Sequence, residues 1–228
     1  MSILDGAMSI ANRARSIALR FSGSERSRYP RQVAVFSSND ATLEFIRQTS
    51  CRSIAEIGIY KGHTTLGLAE FLNGEGELHI FDYEDRVADV EQRVRAAGYS
   101  NIRAFGSSYK LLDSYNWSLG KLLEMHKMPI YDYIFIDGAH TWAVDALTTF
   151  LADQLLKPGG YLDFDDYEWT LEQSPSLKPS AFPLTGKLYT AEQISTRQVK
   201  MIIDVVVRQN SRYREVVPNK IFQKSVEG

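Results

Sequence analysis

Five short stretches of this 228-residue chain combine glycine, acids and histidine at spacings that suit a ligand site. The first is Glu56-Ile57-Gly58-Ile59-Tyr60-Lys61-Gly62. Gly58 and Gly62 let a backbone turn sharply and approach a ligand closely. A helix starting near His63 would aim its free N–H groups at an anion such as a carboxylate. Asp82 can accept hydrogen bonds from two adjacent ribose hydroxyls, and Gly106-Ser107-Ser108-Tyr109 could wrap an adenine. Ser108 and Tyr109 serve equally well as a helix cap and a packed ring. The last two stretches are Asp137-Gly138-Ala139-His140 and Asp165-Asp166-Tyr167. Three carboxylates brought together repel unless protonated, hydrogen-bonded or neutralised, and a hard divalent cation such as Mg²⁺ suits oxygen ligands of this kind. His140, with an ordinary pKa of ~6.5, is the candidate general base. It could instead cap a helix starting near Thr141, and Asp165-Asp166 could simply cap a loop.

Each stretch follows an apolar run of strand length. Ser53 to Ile57, Leu78 to Phe81, Ile102 to Phe105, Tyr133 to Ile136 and Tyr161 to Asp165 read as five successive strands. Helical spacing appears between them: from Ser38 or Asn39 through Ile46, from Thr64 to Leu72, and at Val87, Val90 and Val94 with Gly98 as the C-terminal cap. A further stripe is expected at Leu147, Phe150, Leu151 and Leu155, and Lys157-Pro158-Gly159-Gly160 reads as a turn. Strands alternating with helices imply a parallel sheet covered on both faces, with ligands at the carboxyl ends of its strands. Residues 167 to 189, with three prolines and the aromatics Tyr167, Trp169, Phe182 and Tyr189, read as a long loop beside the site. Thr190 with Gln193 forms a capping box for one helix through Val199, Ile202, Ile203 and Val206. Tyr213 to Val217 and Lys220 to Gln223 close the chain as an antiparallel hairpin around Pro218-Asn219. Asp163 stands in an apolar strand with no role that the sequence explains.

The ordered set of Glu56, Gly58, Gly62, Asp82 and Asp137 at successive strand ends resembles the class I S-adenosylmethionine (SAM)-dependent methyltransferases. The E-x-G-x-x-x-G form is also that of catechol O-methyltransferase. The resemblance covers about Ser53 to Asp166. It implies an α/β, Rossmann-like fold: a mostly parallel seven-stranded sheet with helices on both faces and a C-terminal antiparallel hairpin. It further implies that Glu56, Gly58 and Gly62 surround the methionine part of SAM, that Tyr60 in the same turn also binds the cofactor, that Asp82 holds the ribose, that Ser108 and Tyr109 flank the adenine, and that Asp137 lies close by. The acidic strand ends resemble metal-dependent O-methyltransferases of the catechol and antibiotic-sugar types. Carried over by position, the Mg²⁺ ligands are Asp137, Asp165 and Asp166, with His140 and Asp137 catalytic. The catechol enzymes place a lysine where His140 stands, and the sugar enzymes use an aspartate where this chain has Ala139.

The expected activity is methyl transfer from SAM to a hydroxyl of a small molecule or sugar. A metal-independent methyltransferase, O- or N-directed, is the alternative, and a nucleotide-binding Rossmann protein that is not a methyltransferase comes third. The latter normally carries G-x-G-x-x-G, whose place is taken here by Ile59-Tyr60. A net charge of −2 gives no reason to expect nucleic acid as partner. The single cysteine, Cys51, cannot form an internal disulfide, and no apolar run is long enough to cross a membrane, so a reducing, cytoplasmic location is expected. Residues 1 to 37 are expected to form a helical arm that packs on the domain or on a second subunit, with residues 38 to 228 as the catalytic domain.

Overall fold

The computed structural model describes residues 38–226. Among them, β1 (Ser53–Ile57), β2 (Glu77–Tyr83), β3 (Ile102–Ser107), β4 (Tyr131–Ile136) and β5 (Leu156–Phe164) pair in parallel. β6 (Tyr213–Val217) and β7 (Ile221–Lys224) complete the sheet as an antiparallel hairpin, β7 lying against β5. The spatial order is β3-β2-β1-β4-β5-β7-β6. The order reverses between β1 and β4, and in such sheets the crevice at that reversal is where ligands bind.

Side chains alternate across the sheet, as strand geometry requires. On one face Ile54, Leu78, Ile80, Tyr133 and Phe135 pack beneath α1 (Ser38–Ile46), α2 (His63–Leu72) and α3 (Glu84–Ala96). On the other, Ala55, Ile57, Phe81, Ile134 and Ile136 meet Leu119 and Leu122 of α4 (Tyr115–Met125) and Ala152 and Leu155 of α5 (Trp142–Leu155). Each fully buried Ile, Leu or Phe contributes ~1.5–3 kcal/mol relative to exposure. That two-sided core lets the strand ends carry buried acids whose desolvation opposes folding.

The five parallel strands, the hairpin and the first three helices follow the pattern read from the sequence. Gly98 closes α3 as expected: its φ is 100°, its N–H bonds Arg95 O, and the N–H of Tyr99 bonds Val94 O, a Schellman ending. Four expectations need correction or extension. The sequence reading passed over α4, which the Ser114 hydroxyl caps by accepting from Asn116 N. In α5 the expected stripe is rotated: Leu147 and Phe150 are exposed, and the buried line runs through Asp145, Thr148, Thr149, Ala152 and Leu155. That face lies against α4, where Asn116 accepts from the Thr148 hydroxyl at 2.8 Å, so small polar residues fit where large apolar ones would not. The expected turn at residues 157–160 is an irregularity inside β5, with Gly159 at φ 82°.

The fourth correction concerns the helix after Thr190. Its capping box forms, but the helix stops after α7 (Ala191–Ser195) because Thr196 is extended. The chain resumes as α8 (Gln198–Ile202) and passes into a π-helical turn over Ile203–Val207. Gln198 bridges the break: its amide donates to Gln193 O, and its carbonyl accepts from Trp142 N at 2.7 Å. Residues 167–189 form a long connection containing only the short helix α6 (Thr185–Leu188).

Asp163 also gains an explanation. It is fully buried and accepts from the hydroxyls of Thr42 and Tyr133, each at 2.6 Å, while Lys220 Nζ lies 2.9 Å from its other oxygen. A buried ion pair thus ties α1, β4, β5 and the hairpin turn together. No helix among the described residues is long and apolar enough to cross a membrane. The proposed N-terminal arm lies outside the described residues.

Candidate active site

The acidic stretches converge because the strand ends are keyed by backbone hydrogen bonds. Gly58 N donates to Phe81 O at 2.7 Å, Asp137 N to Ile57 O at 2.8 Å, and Asp165 N to Ile136 O at 3.0 Å. Gly58 has φ 86°, and a Cβ there would lie 2.6 Å from the Asp137 carbonyl carbon and 2.9 Å from Gly138 Cα. Its glycine is therefore required by the meeting of the β1 and β4 ends, whether or not a ligand is present. Gly62, at φ 75°, opens α2 and leaves that helix N-terminus without a side-chain cap.

Positive φ is rare for residues with side chains. Among the described residues five non-glycines adopt it. Two are asparagines, which tolerate it; the others are Tyr60 (φ 42°), His140 (φ 55°) and Asp166 (φ 59°). These three follow β1, β4 and β5. Strain of this kind collects at functional sites, held in place by the surrounding packing.

The structure separates the expected cofactor residues into three groups. Glu56 is buried and its Oε2 has no hydrogen-bond partner. Burial pushes its carboxyl up to about 8, opposed by the Thr65 hydroxyl and reinforced by the charge of Asp82. Asp82 is saturated by its own chain. Oδ2 accepts from Ile59 N at 3.1 Å and Tyr60 N at 3.2 Å, Oδ1 from Tyr83 N at 2.7 Å, and Arg86 lies 3.3 Å away. A ribose must therefore displace Arg86 or share those oxygens. Ser108 closes a local loop through Asp113, donating from its hydroxyl at 2.6 Å and from its N–H at 2.7 Å. Tyr109 stacks on Tyr83 with centroids 4.4 Å apart, and its hydroxyl donates to Asp85 at 2.6 Å. Tyr60 is exposed, with Lys61 5.2 Å from its ring.

At the reacting end the structure brings together Asp137, His140 and Asp166. Ligand atoms of all three lie within 4.8 Å of one another. His140 Nε2 stands 3.3 Å from Asp166 Oδ2 and 3.6 Å from Asp137 Oδ1, and Trp169 lies beside the imidazole with ring centroids 5.3 Å apart. Asp165, expected to share the cluster, is buried behind it with Oδ1 unpartnered. Burial holds the Asp137 carboxyl well above the usual range, and the charges of Asp165, Glu56 and Asp166 add to that while Lys220 opposes it. Burial raises Asp165 as well, again with Lys220 opposing.

Sequence reasoning missed the groups that hold this loop. The Tyr115 hydroxyl donates to the buried Asp145 carboxylate and accepts from Ala139 N at 3.0 Å. A Cβ on Gly138 would lie 2.9 Å from Asp145 Oδ1 and equally close to the Tyr115 ring carbon, so this glycine admits the tyrosine. Asp145 is one of two acids buried on α5, and a buried acid demands a donor. Tyr167 is anchored by Arg208, whose guanidinium reaches its hydroxyl at 3.3 Å and Glu215 at 2.8 Å.

A glycine turn after β1, an acid at the end of β2 and an acidic centre after β4 and β5, on this strand order, define a class I methyltransferase fold. The comparisons with known proteins agree. Residues 55–167 match a family model described as a methyltransferase domain, and the chain has a class I methyltransferase fold. No curated protein matches the sequence. Three similar solved structures illustrate the range of the fold. An O-methyltransferase from Bacillus cereus in complex with SAH has 14% identity and TM-score 0.54, with 94% of this chain and 89% of that chain covered. O-methyltransferase TomG from Streptomyces achromogenes, involved in tomaymycin synthesis and in complex with SAM, has the same identity, TM-score and coverage. A putative rRNA-methylase from Clostridium thermocellum has 10% identity and TM-score 0.56, with 86% and 100% covered. At these identities the likeness concerns the fold.

Proposed function

We propose that this enzyme transfers a methyl group from SAM to an oxygen of a small-molecule acceptor, made nucleophilic at the centre formed by Asp137, His140 and Asp166. The observation that carries this reading is the convergence of those three side chains, two of them on strained backbone, at the strand ends beside Glu56. SAM-bound and SAH-bound relatives of this fold support the choice of methyl donor. The residues present fit it. Glu56 Oε2, buried and unpartnered, suits an ammonium such as that of methionine, and the uncapped start of α2 suits a carboxylate.

SAM supplies an electrophilic methyl on a sulfonium, and a divalent cation, when bound, increases the acidity of an acceptor hydroxyl. The chain's own residues do the rest. Glu56 and the Gly58–Gly62 turn hold the donor, and Asp82 receives its ribose once Arg86 yields. Tyr115 and Asp145 fix the 137–140 loop, so the centre stands at one distance from the donor, and good placement of reactants is worth several kcal/mol of barrier. Trp169 stands against the His140 imidazole and covers that side of the centre. Asp137, His140 and Asp166 fit a divalent cation, two oxygens and one nitrogen converging within 4.8 Å. His140 Nε2 has one lone pair. The sequence reading gives it the acceptor's proton; the same atom is placed to hold a cation.

The direct experiment is a panel of hydroxylated and amine acceptors offered with methyl-labelled SAM, with and without EDTA, alongside calorimetry with SAM and NAD. Label on hydroxyl acceptors and binding of SAM are the expected results. Binding of NAD in place of SAM, or label on amines alone, overturns the reading.

A further inference from the structure

We infer that His140 is a ligand of a divalent cation, so that the site prefers an ion that accepts nitrogen, such as Mn²⁺, over Mg²⁺. The inference rests on the acceptor-activating centre proposed above. Position by position, the sequence pointed to an all-oxygen set of Asp137, Asp165 and Asp166, which suits Mg²⁺. The structure places a nitrogen in the converging set and leaves Asp165 outside it. Nε2 of His140, 3.3 Å from Asp166 and 3.6 Å from Asp137, lies as near to each carboxylate as a shared ion requires, and all three side chains keep partial access to solvent. Open positions thus remain for water or an acceptor.

A second observation points the same way. Asp165, the neighbour of Asp166 in the chain, is buried with Oδ1 unpartnered. The Lys220 ammonium is already shared between Asp163 Oδ1 at 2.9 Å and the Phe164 carbonyl at 3.2 Å. That lysine is committed to Asp163, so the centre has room for further positive charge. Imidazole suits Zn²⁺, Fe²⁺ and Ni²⁺ best; Mn²⁺ shares the oxygen ligands of Mg²⁺ but, as a transition metal, takes a nitrogen into its shell more readily than Mg²⁺ does. A nitrogen that binds the ion has no lone pair left for the acceptor's proton. His140 then acts as a ligand, and the acceptor's acidity comes from the ion.

The test is Mn²⁺ binding to the full-length protein, followed by electron paramagnetic resonance. Pulsed spectra should show one directly coordinated nitrogen. That coupling should vanish in His140→Gln, with Mn²⁺ affinity lowered by at least the ~10–100-fold that loss of an outer-shell partner alone costs, and should persist in Asp165→Asn. Mg²⁺ should displace Mn²⁺ only in large excess. Bound Mn²⁺ without a nitrogen coupling, His140→Gln binding like the parent protein, displacement by equimolar Mg²⁺, or no Mn²⁺ binding would each overturn the inference. Calorimetry with SAM on the same samples keeps the two readings apart. Loss of SAM binding with the nitrogen signal intact condemns the functional reading alone, and the reverse condemns only the ligand assignment.

Discussion

Replacing Gly58 by alanine separates a glycine needed by the fold from one needed only by a ligand. The new Cβ would stand 2.6 Å from the Asp137 carbonyl carbon and 2.9 Å from Gly138 Cα, so backbone, not a flexible side chain, must move. Left-handed φ costs an L-residue about 1–2 kcal/mol. Forcing atoms into a packed site costs about 1–3 kcal/mol more. The sum, about 2–5 kcal/mol, is expected in the absence of SAM. For a chain of this size each kcal/mol moves Tm by about 2–4 °C, so thermal unfolding followed by circular dichroism should drop by roughly 4–20 °C. Gly62→Ala is the control. Its Cβ would meet a Val90 methyl group at 2.6 Å, a contact that a side chain can relieve, and the loss should be smaller. An unchanged Tm for Gly58→Ala, with SAM affinity alone reduced, would refute the strand-contact argument.

Asp82→Ala should weaken SAM binding and also destabilise the free protein by ~1–3 kcal/mol, because Ile59 and Tyr60 lose their acceptor; calorimetry and chemical denaturation read the two effects separately. The Glu56 carboxyl lies above its ordinary value in the folded protein. Its contribution to stability is therefore complete below the ordinary value of 4.5 and is lost as pH rises through about 8. Glu56→Gln should flatten that part of the stability–pH profile, and a profile of unaltered slope would contradict the assignment. Tyr115→Phe leaves Asp145 and the Ala139 N–H short of a partner and should cost ~1–3 kcal/mol, with a fall in turnover and little change in SAM affinity. Lys220→Met breaks the buried pair with Asp163 and should cost ~3–5 kcal/mol in denaturation, with partial recovery in Lys220→Arg.

The strand ends were legible because their signals are local. A glycine turn, an apolar run and a terminal acid sit within a few residues of one another, as at Ile54 to Gly62 and Tyr133 to Asp137. What was lost is non-local. Asp163 makes sense only with Thr42, Tyr133 and Lys220, which are far away in sequence. The Tyr115–Asp145 bond joins residues 30 apart on two helices, one of which the hydropathy pattern did not reveal. The inner face of α5 misled because it is built from threonine and alanine, so the larger Leu147 and Phe150 drew the stripe to the wrong side. The capping box at Thr190 marked a helix start correctly, but start signals carry no information about length, and Thr196 ends the helix within two turns. At the site itself, position alone grouped Asp165 with Asp137 and Asp166. Side-chain direction, invisible in the sequence, put His140 there instead.

The central claim is that Asp137, His140 and Asp166 act on the acceptor and not on the methyl donor. Its most direct test is the rate of label transfer from SAM by Asp166→Ala at saturating acceptor, set beside SAM affinity measured on the same protein. Turnover lowered by orders of magnitude with SAM affinity nearly unchanged is the predicted result. An unaltered rate, or a loss of SAM affinity large enough to account for the fall, would contradict it.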